Sequence, residues 1–408
     1  MKFSFKHILL ICLSGAISYS CNSSKEKSEA SQQGASPLEI VDLGTKSFPL
    51  DAETAVDFNS RFKVNVFDGK EYLSFANRPL SRIYEFDYES GEPSRTIKLE
   101  KDGPNAVNLW WNIGMFFHSK DSIFLDSGGF GYYLVNGKGE VLQKFGMPNK
   151  ENTLEPECCP IVFTNATFFE NGVIYGEQNP NPSDNEQDLD YAFGSYNLKS
   201  DEKNRSILEK SAFIPDHQKI KEMVKAKDPW VRDFTASFYA SNDLLFTSSP
   251  ISDSVHIFED FNLLEKLYIS YPETELADYR SFLLINQLQE VSNGIQNLTE
   301  VNQPPHYSGL LVSANGNLIY RILIEETRGK MFENTNEEYP EITKASLIVF
   351  NRTTNSIGRY ELPVEDIEIP FSTVSRSVFV NKSGIHFQTK EQASEDRLDF
   401  RVFGVKEE

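Results

Sequence analysis

One pattern recurs six times along this chain: an apolar strand, a tight polar turn, a second apolar strand, then a third strand rich in aromatic and aliphatic residues. The first copy reads FKVNVF-DGK-EYLSFA, followed by RIYEFD. The others open with IGMFFHSKDSIFLDS, ATFFENGVIYGEQ, TASFYASNDLLFTSS, GLLVSANGNLIYRIL and SVFVNKSGIHFQTK. Their third strands are GYYLVN, FGSYN, SVHIFE, SLIVFN and LDFRVFG. The turns centre on Gly69, Asp121, Gly172, Asp243, Gly316 and Gly384, at intervals of 52, 51, 71, 73 and 68 residues. Asp-Gly and Asn-Gly between alternating hydrophobic runs signal hairpins, because these residues tolerate positive φ. A repeat of this length buries its apolar face against its neighbours rather than alone.

A fourth strand follows in most units, such as RTIKL after Gly91 and VLQKF after Gly139. Four-stranded antiparallel sheets repeated radially leave few exposed edges, which is the logic of a β-propeller. The last unit reaches Glu408 after only three strands. The alternating segment LEIVDLG, at 38–44, is expected to supply the missing strand beside 400–405 and close the ring. The expected fold is therefore all-β: a six-bladed β-propeller of four-stranded antiparallel blades over residues 36–408. Helical spacing of apolar residues at 215–227 and 276–298 predicts short helical inserts on one face. The rival, two stacked β-sandwiches, predicts neither six copies nor a donated strand.

These blades resemble the six-bladed propellers of the NHL and TolB-like kind. With EKDGPNAV between its first two units, the chain also resembles propeller lipoproteins of Bacteroidota catalogued only as a domain of unknown function. The resemblance implies a propeller at the cell envelope and no assigned activity.

Residues 1–20 read as a secretory signal: Lys2 and Lys6, an apolar run over 8–17, then Ser18-Tyr19-Ser20 before Cys21. The run is too short to span a bilayer. Small residues before a Cys resemble the lipobox of bacterial lipoproteins, which implies lipid attachment at Cys21. Residues 21–35 are polar and read as a flexible tether, holding the domain roughly 20 Å from its anchor. The expected address is the cell envelope, as an outer-membrane lipoprotein, periplasmic or surface-exposed. Beyond Cys12 and Cys21 the cysteines are the neighbours Cys158 and Cys159, which build no disulfide framework.

Asp plus Glu number 60 against 40 Lys plus Arg, a formal charge of −20. That balance argues against nucleic acid, and against membrane contact other than by the lipid anchor. The chain has no phosphate loop, no HExxH, no nucleophile elbow and no Cys/His cluster of ligand spacing. No cofactor or metal is expected, and no catalytic residue stands out. Candidates for a ligand site are the residues that enter the inner strands: Arg61, Trp110, Trp111, Trp230, Arg232, His306, Tyr307 and Arg376. Arg78, on a short loop of the first unit, is expected to reach the same space. Trp, Tyr and Arg suit stacking on sugars or peptides and anchor protein interfaces. The leading expectation is a propeller that binds an envelope protein, a peptide or a glycan through its loop-rich face. The alternative is an extracytoplasmic hydrolase or lyase at the channel mouth, with His306 as the candidate base.

Overall fold

A computed structural model describes residues 36–54, 61–107, 114–126, 132–145, 161–162, 166–178, 193–197, 237–270, 305–328, 341–370, 377–392, 394 and 396–406. All lie in one unit, Ala35–Glu408. Their strands form six sheets, one for each sequence repeat. The first holds Lys63–Phe67, Lys70–Asn77, Arg82–Asp87 and Pro93–Lys98; the second Met115–Ser119, Ser122–Asp126, Tyr132–Val135 and Val141–Phe145. The fourth holds Ser237–Ser241, Leu244–Ser248, Ser254–Glu259 and Asn262–Tyr268. In the fifth, His306–Val312, Leu318–Arg328, Glu341–Asn351 and Ser356–Glu361 pair in turn. The sixth comprises Val378–Asn381, Gly384–Gln388 and Arg397–Val405, with Ile40–Pro49 on its outer edge.

These five sheets carry a full ladder of four antiparallel strands; the third does not. Its first strand is interrupted, because Ile161–Val162 and Phe168–Glu170 both pair the same edge of Val173–Gln178. Phe193–Asn197 takes the other edge, so the described residues fill three ladder positions. The expectation of six four-stranded blades is corrected: the described residues form five complete blades, and the irregular third sheet does not make a sixth.

Turn chemistry sets these hairpins. Asp68 and Gly69 have φ of 54° and 75°, Asn171 and Gly172 of 52° and 87°, and Asn242 and Asp243 of 51° and 62°. Two successive left-handed residues match the twist of the flanking strands, and Asn, Asp and Gly adopt them at least cost. Asp121 departs from this scheme: its hairpin carries a register shift between Phe117 and Ser119 instead.

Each strand buries alternate residues on opposite faces, so each sheet packs on two neighbours. Six apolar clusters result, one per sheet boundary. Ile83 and Ile97 meet Met115 and Leu125 between the first and second sheets. Phe124 and Tyr132 meet Ile174 at the next boundary, and Phe168 and Tyr175 meet Phe238 and Phe258 at the third. Phe246 and Ile257 pack on Leu310 and Phe350, then Tyr320 and Leu347 on Phe387 and Phe403. Phe379 and Phe400 return to Phe75 and Phe86 of the first sheet. This last boundary is mostly aromatic, with Phe62 edge-on to Phe400 at 5.0 Å and Phe48 edge-on to Phe86 at 5.6 Å. Each buried Phe contributes about 1.5–3 kcal/mol, and each ring pair about 0.5–1.5 kcal/mol more. Many of the described Phe and Tyr side chains serve in this inter-sheet packing. The arrangement is a β-propeller.

The donated N-terminal strand is present and longer than expected. Ile40 pairs Val405 and Pro49 pairs Arg397, with a shift between Asp42 and Gly44. Just before it, Ser36 and Pro37 pair in parallel with Ser356 and Ile357 on the edge of the fifth sheet. The N-terminal segment thus straps two consecutive sheets. Gly358 makes room for this crossing, since a Cβ there would lie 2.3 Å from the Leu38 carbonyl oxygen.

Both expected helical inserts, at 215–227 and 276–298, lie outside the described residues. Among the described residues there is no helix, and hence none long and apolar enough to cross a membrane.

Candidate functional site

Successive strands run in opposite directions, so the connections of each sheet divide between two faces. Connections into each first strand and from second to third strands share one face, called here the entry face. The tight first-to-second and third-to-fourth turns share the other, the turn face. Arg61 stands just before the first strand of the first sheet and is 5% exposed. Arg78, half-buried, lies in that sheet's second-to-third turn, where its carbonyl accepts from the Ser81 N–H at 3.0 Å. His306 and Tyr307 open the fifth sheet, 1% and 2% exposed. All four belong to the entry face. Trp110, Trp111, Trp230, Arg232, Arg376 and Cys21 lie outside the described residues.

Around Tyr307 the structure assembles polar residues that the sequence reading missed. Arg321, in the second strand of the fifth sheet, is 0% exposed. Its Nη2 donates to Ser248 Oγ at 2.7 Å, to the Ser252 carbonyl at 2.7 Å and to the Ser249 carbonyl at 3.3 Å. Its Nη1 donates to the Ile269 carbonyl at 3.4 Å. The guanidinium carbon sits 3.3 Å from the centre of the Tyr307 ring. Tyr307 in turn donates its hydroxyl to Asp253 Oδ1 at 2.8 Å, and its N–H to the Pro250 carbonyl at 2.9 Å. One buried cation therefore pins the entry-face turn of the fourth sheet, residues 249–253, to the first two strands of the fifth.

The electrostatics follow from burial. Desolvation pulls the Arg321 pKa down, while Tyr307 and Asp253 oppose it. Burial also pushes the Tyr307 hydroxyl far above its usual range, with Asp253 adding to the rise. Tyr307 is thus a fixed donor and not a base at neutral pH.

A second network continues along the fifth sheet. Glu325 Oε2 accepts from Arg359 Nη2 at 2.7 Å and from Lys344 Nζ at 3.1 Å, while Oε1 accepts from Ser346 Oγ at 2.5 Å. Burial alone would raise the Glu325 carboxyl, but these hydrogen bonds outweigh it and hold the pKa below the ordinary value. Among the described residues no group of three or more His, Cys, Asp or Glu is placed to hold a metal ion.

Of the residues that the sequence reading missed, only Arg321 had a signal there. Arg321 interrupts the apolar run LIYRILI, and a lone charge in such a run must find partners if the strand is buried. Most of those partners are backbone carbonyls, which no side-chain pattern encodes.

The domain of unknown function DUF4221 matches residues 37–358. The chain belongs to the DUF4221 family. A crystal structure of a DUF4221 member from Bacteroides vulgatus superposes with a TM-score of 0.65 at 18% identity, over 91% of this chain and 99% of that one. A protein of Bacteroides fragilis aligns with a TM-score of 0.49 at 12% identity, over 92% and 97%. No curated protein matches. At 18% identity the first likeness speaks for the DUF4221 fold alone.

Proposed function

We propose that this DUF4221 protein is a lipid-anchored propeller of the cell envelope, its six sheets forming one closed ring. On this reading it binds an envelope protein, a peptide or a glycan through its entry face. The observation that carries the reading is the pinning of the turn at 249–253 by Arg321 and Tyr307. A buried guanidinium is costly to desolvate, and here it serves to hold one edge of the entry face in a fixed shape. Preformed surfaces lose less entropy on binding than mobile ones. The six inter-sheet clusters, which return to the first sheet, support the closed ring. The signal-like residues 1–20 and Cys21 support the envelope address.

The test is a binding panel of glycans, peptides and envelope extracts on the purified domain, with Trp111→Ala and Arg232→Ala beside the parent. The reading expects one saturable ligand, weakened at least tenfold by one of these variants. No saturable ligand, or binding untouched by both, overturns the site. Metabolic labelling with a palmitate analogue, lost in Cys21→Ala, checks the anchor separately.

A further inference from the structure

The N-terminal strap fixes where the chain joins the ring. Ser36 lies beside Ser356, the first residue of the fifth sheet's fourth strand, and that strand begins directly after the turn containing Asn355. Leu38 N–H donates to the Ile357 carbonyl at 2.9 Å, and Lys406 N–H donates to the Glu39 carbonyl at 3.0 Å. Ile40 then pairs with Val405 at the far end of the sixth sheet's third strand, and only Pro49 reaches the entry-face end, beside Arg397. Residues 36–40 therefore sit at the turn face. The entry face lies a strand length away; six residues, Ser356–Glu361, span about 20 Å at roughly 3.3 Å each.

The turn face presents charged tips with exposed apolar side chains close behind them. Its described tips include Asp68, Lys120, Glu89, Lys138, Asp260 and Lys382, all polar and of both signs. Lys120 bonds Asp68 at 2.9 Å, and Lys382 faces Glu89 at 3.5 Å, so part of its positive charge is already matched within the face. These tips show no basic excess, while exposed Val66, Leu142, Leu263 and Leu264 lie at the ends of strands that border the same face.

We infer that the anchored protein turns its entry face away from the membrane that holds it, and meets a partner in the aqueous space. This rests on the lipid anchor proposed above and adds a direction to it. The chain that leads to the proposed anchor leaves the ring at the turn face, so on this reading that face is held nearer the lipid.

The test uses the full acylated chain in vesicles carrying an acceptor dye on the lipid headgroups. Cys158 and Cys159 are replaced by Ser, and one donor dye is placed at K382C on the turn face or K101C on the entry face. Both positions are exposed; Lys101 reaches the Pro79 carbonyl in the entry-face turn of the first sheet at 2.8 Å. Energy transfer is expected to be at least twofold greater from position 382. Equal transfer, or greater transfer from 101, overturns the orientation while leaving the anchor intact. Protein that fails to float with the vesicles overturns the anchor, and the orientation with it.

Discussion

The Tyr88 hydroxyl lies 2.6 Å from Nε2 of His386, tying the turn after the first sheet's third strand to the second strand of the sixth sheet. The other ring nitrogen, Nδ1, is 3.2 Å from the Gly384 carbonyl. A neutral imidazole protonated at Nδ1 satisfies both, donating to Gly384 and accepting from Tyr88. Phe379 stacks on the same ring at 4.3 Å. Burial drives the His386 pKa from 6.5 down to about 3.

That shift has a sign in stability. The unfolded chain takes up a proton near pH 6.5 and the folded chain does not until about pH 3. Stability is therefore complete above pH 6.5 and falls through this window, by up to about 1.4 kcal/mol per unit. His386→Gln keeps an acceptor for Tyr88 and removes the titration. Thermal midpoints at pH 7, 5 and 4 should fall less steeply for the variant than for the parent. Parallel profiles would exclude His386 as the source.

Arg321 and Tyr307 should behave as a coupled pair. Arg321→Met removes the donors for Ser248 and three carbonyls, and breaking a buried charge site costs about 3–5 kcal/mol. Tyr307→Phe keeps the ring under the guanidinium but strips Asp253 of its donor, at about 1–3 kcal/mol. A double-mutant cycle by urea denaturation should give a coupling of about 1 kcal/mol or more. Strict additivity would mean that the Tyr307 hydroxyl and its bond to Asp253 are energetically independent of Arg321.

These two sites mark where sequence reasoning stops. The hairpins were legible because Asp68–Gly69, Asn171–Gly172 and Asn242–Asp243 meet a conformational demand that few residues satisfy. The strand donated by residues 38–44 was legible because its alternation completes a unit otherwise one strand short. The pairing of Ser36 and Pro37 was not: two residues carry no period, and the partner is an edge anyone could pair. Nor was the irregular third sheet, whose first strand is split into pieces of two and three residues. The burial of His306 and Tyr307 depends on the neighbouring sheet, which no local pattern reports.

Phe261 offers a sharper backbone test. It has φ of 61°, following Asp260 at 47°, a conformation that costs an ordinary L-residue about 1–2 kcal/mol. Its ring is held against Tyr175 at 5.3 Å and Phe168 at 6.1 Å, across the boundary between the third and fourth sheets. Both Phe261→Ala and Phe261→Gly lose those contacts, but only Gly relieves the backbone. The Gly variant should therefore be the more stable of the two by about 1 kcal/mol, inverting the order seen at ordinary strand positions. An Ala variant as stable as the Gly variant in urea would show the turn to be unstrained.

The N-terminal strap separates backbone pairing from charge as the force that closes the sixth sheet. Arg401 Nε lies 2.8 Å from Asp42 Oδ2 and 2.9 Å from Oδ1 across that seam. With the Arg401 side chain 38% exposed, such a pair is worth about 0–1 kcal/mol. The ladder from Ile40 to Pro49 has nine pairings and buries Phe48 completely. Losing that one Phe side chain from the core costs about 3–5 kcal/mol. Arg401→Ala should thus leave a folded monomer with its thermal midpoint lowered by a few degrees at most. A chain beginning at residue 50 should lose the Phe48 cluster and expose the edge of Arg397–Val405, whose unpaired backbone groups favour association. Size-exclusion chromatography with light scattering at increasing concentration distinguishes the two. Were Arg401→Ala as disruptive as the truncation, the ion pair rather than the strand would be what holds the ring closed.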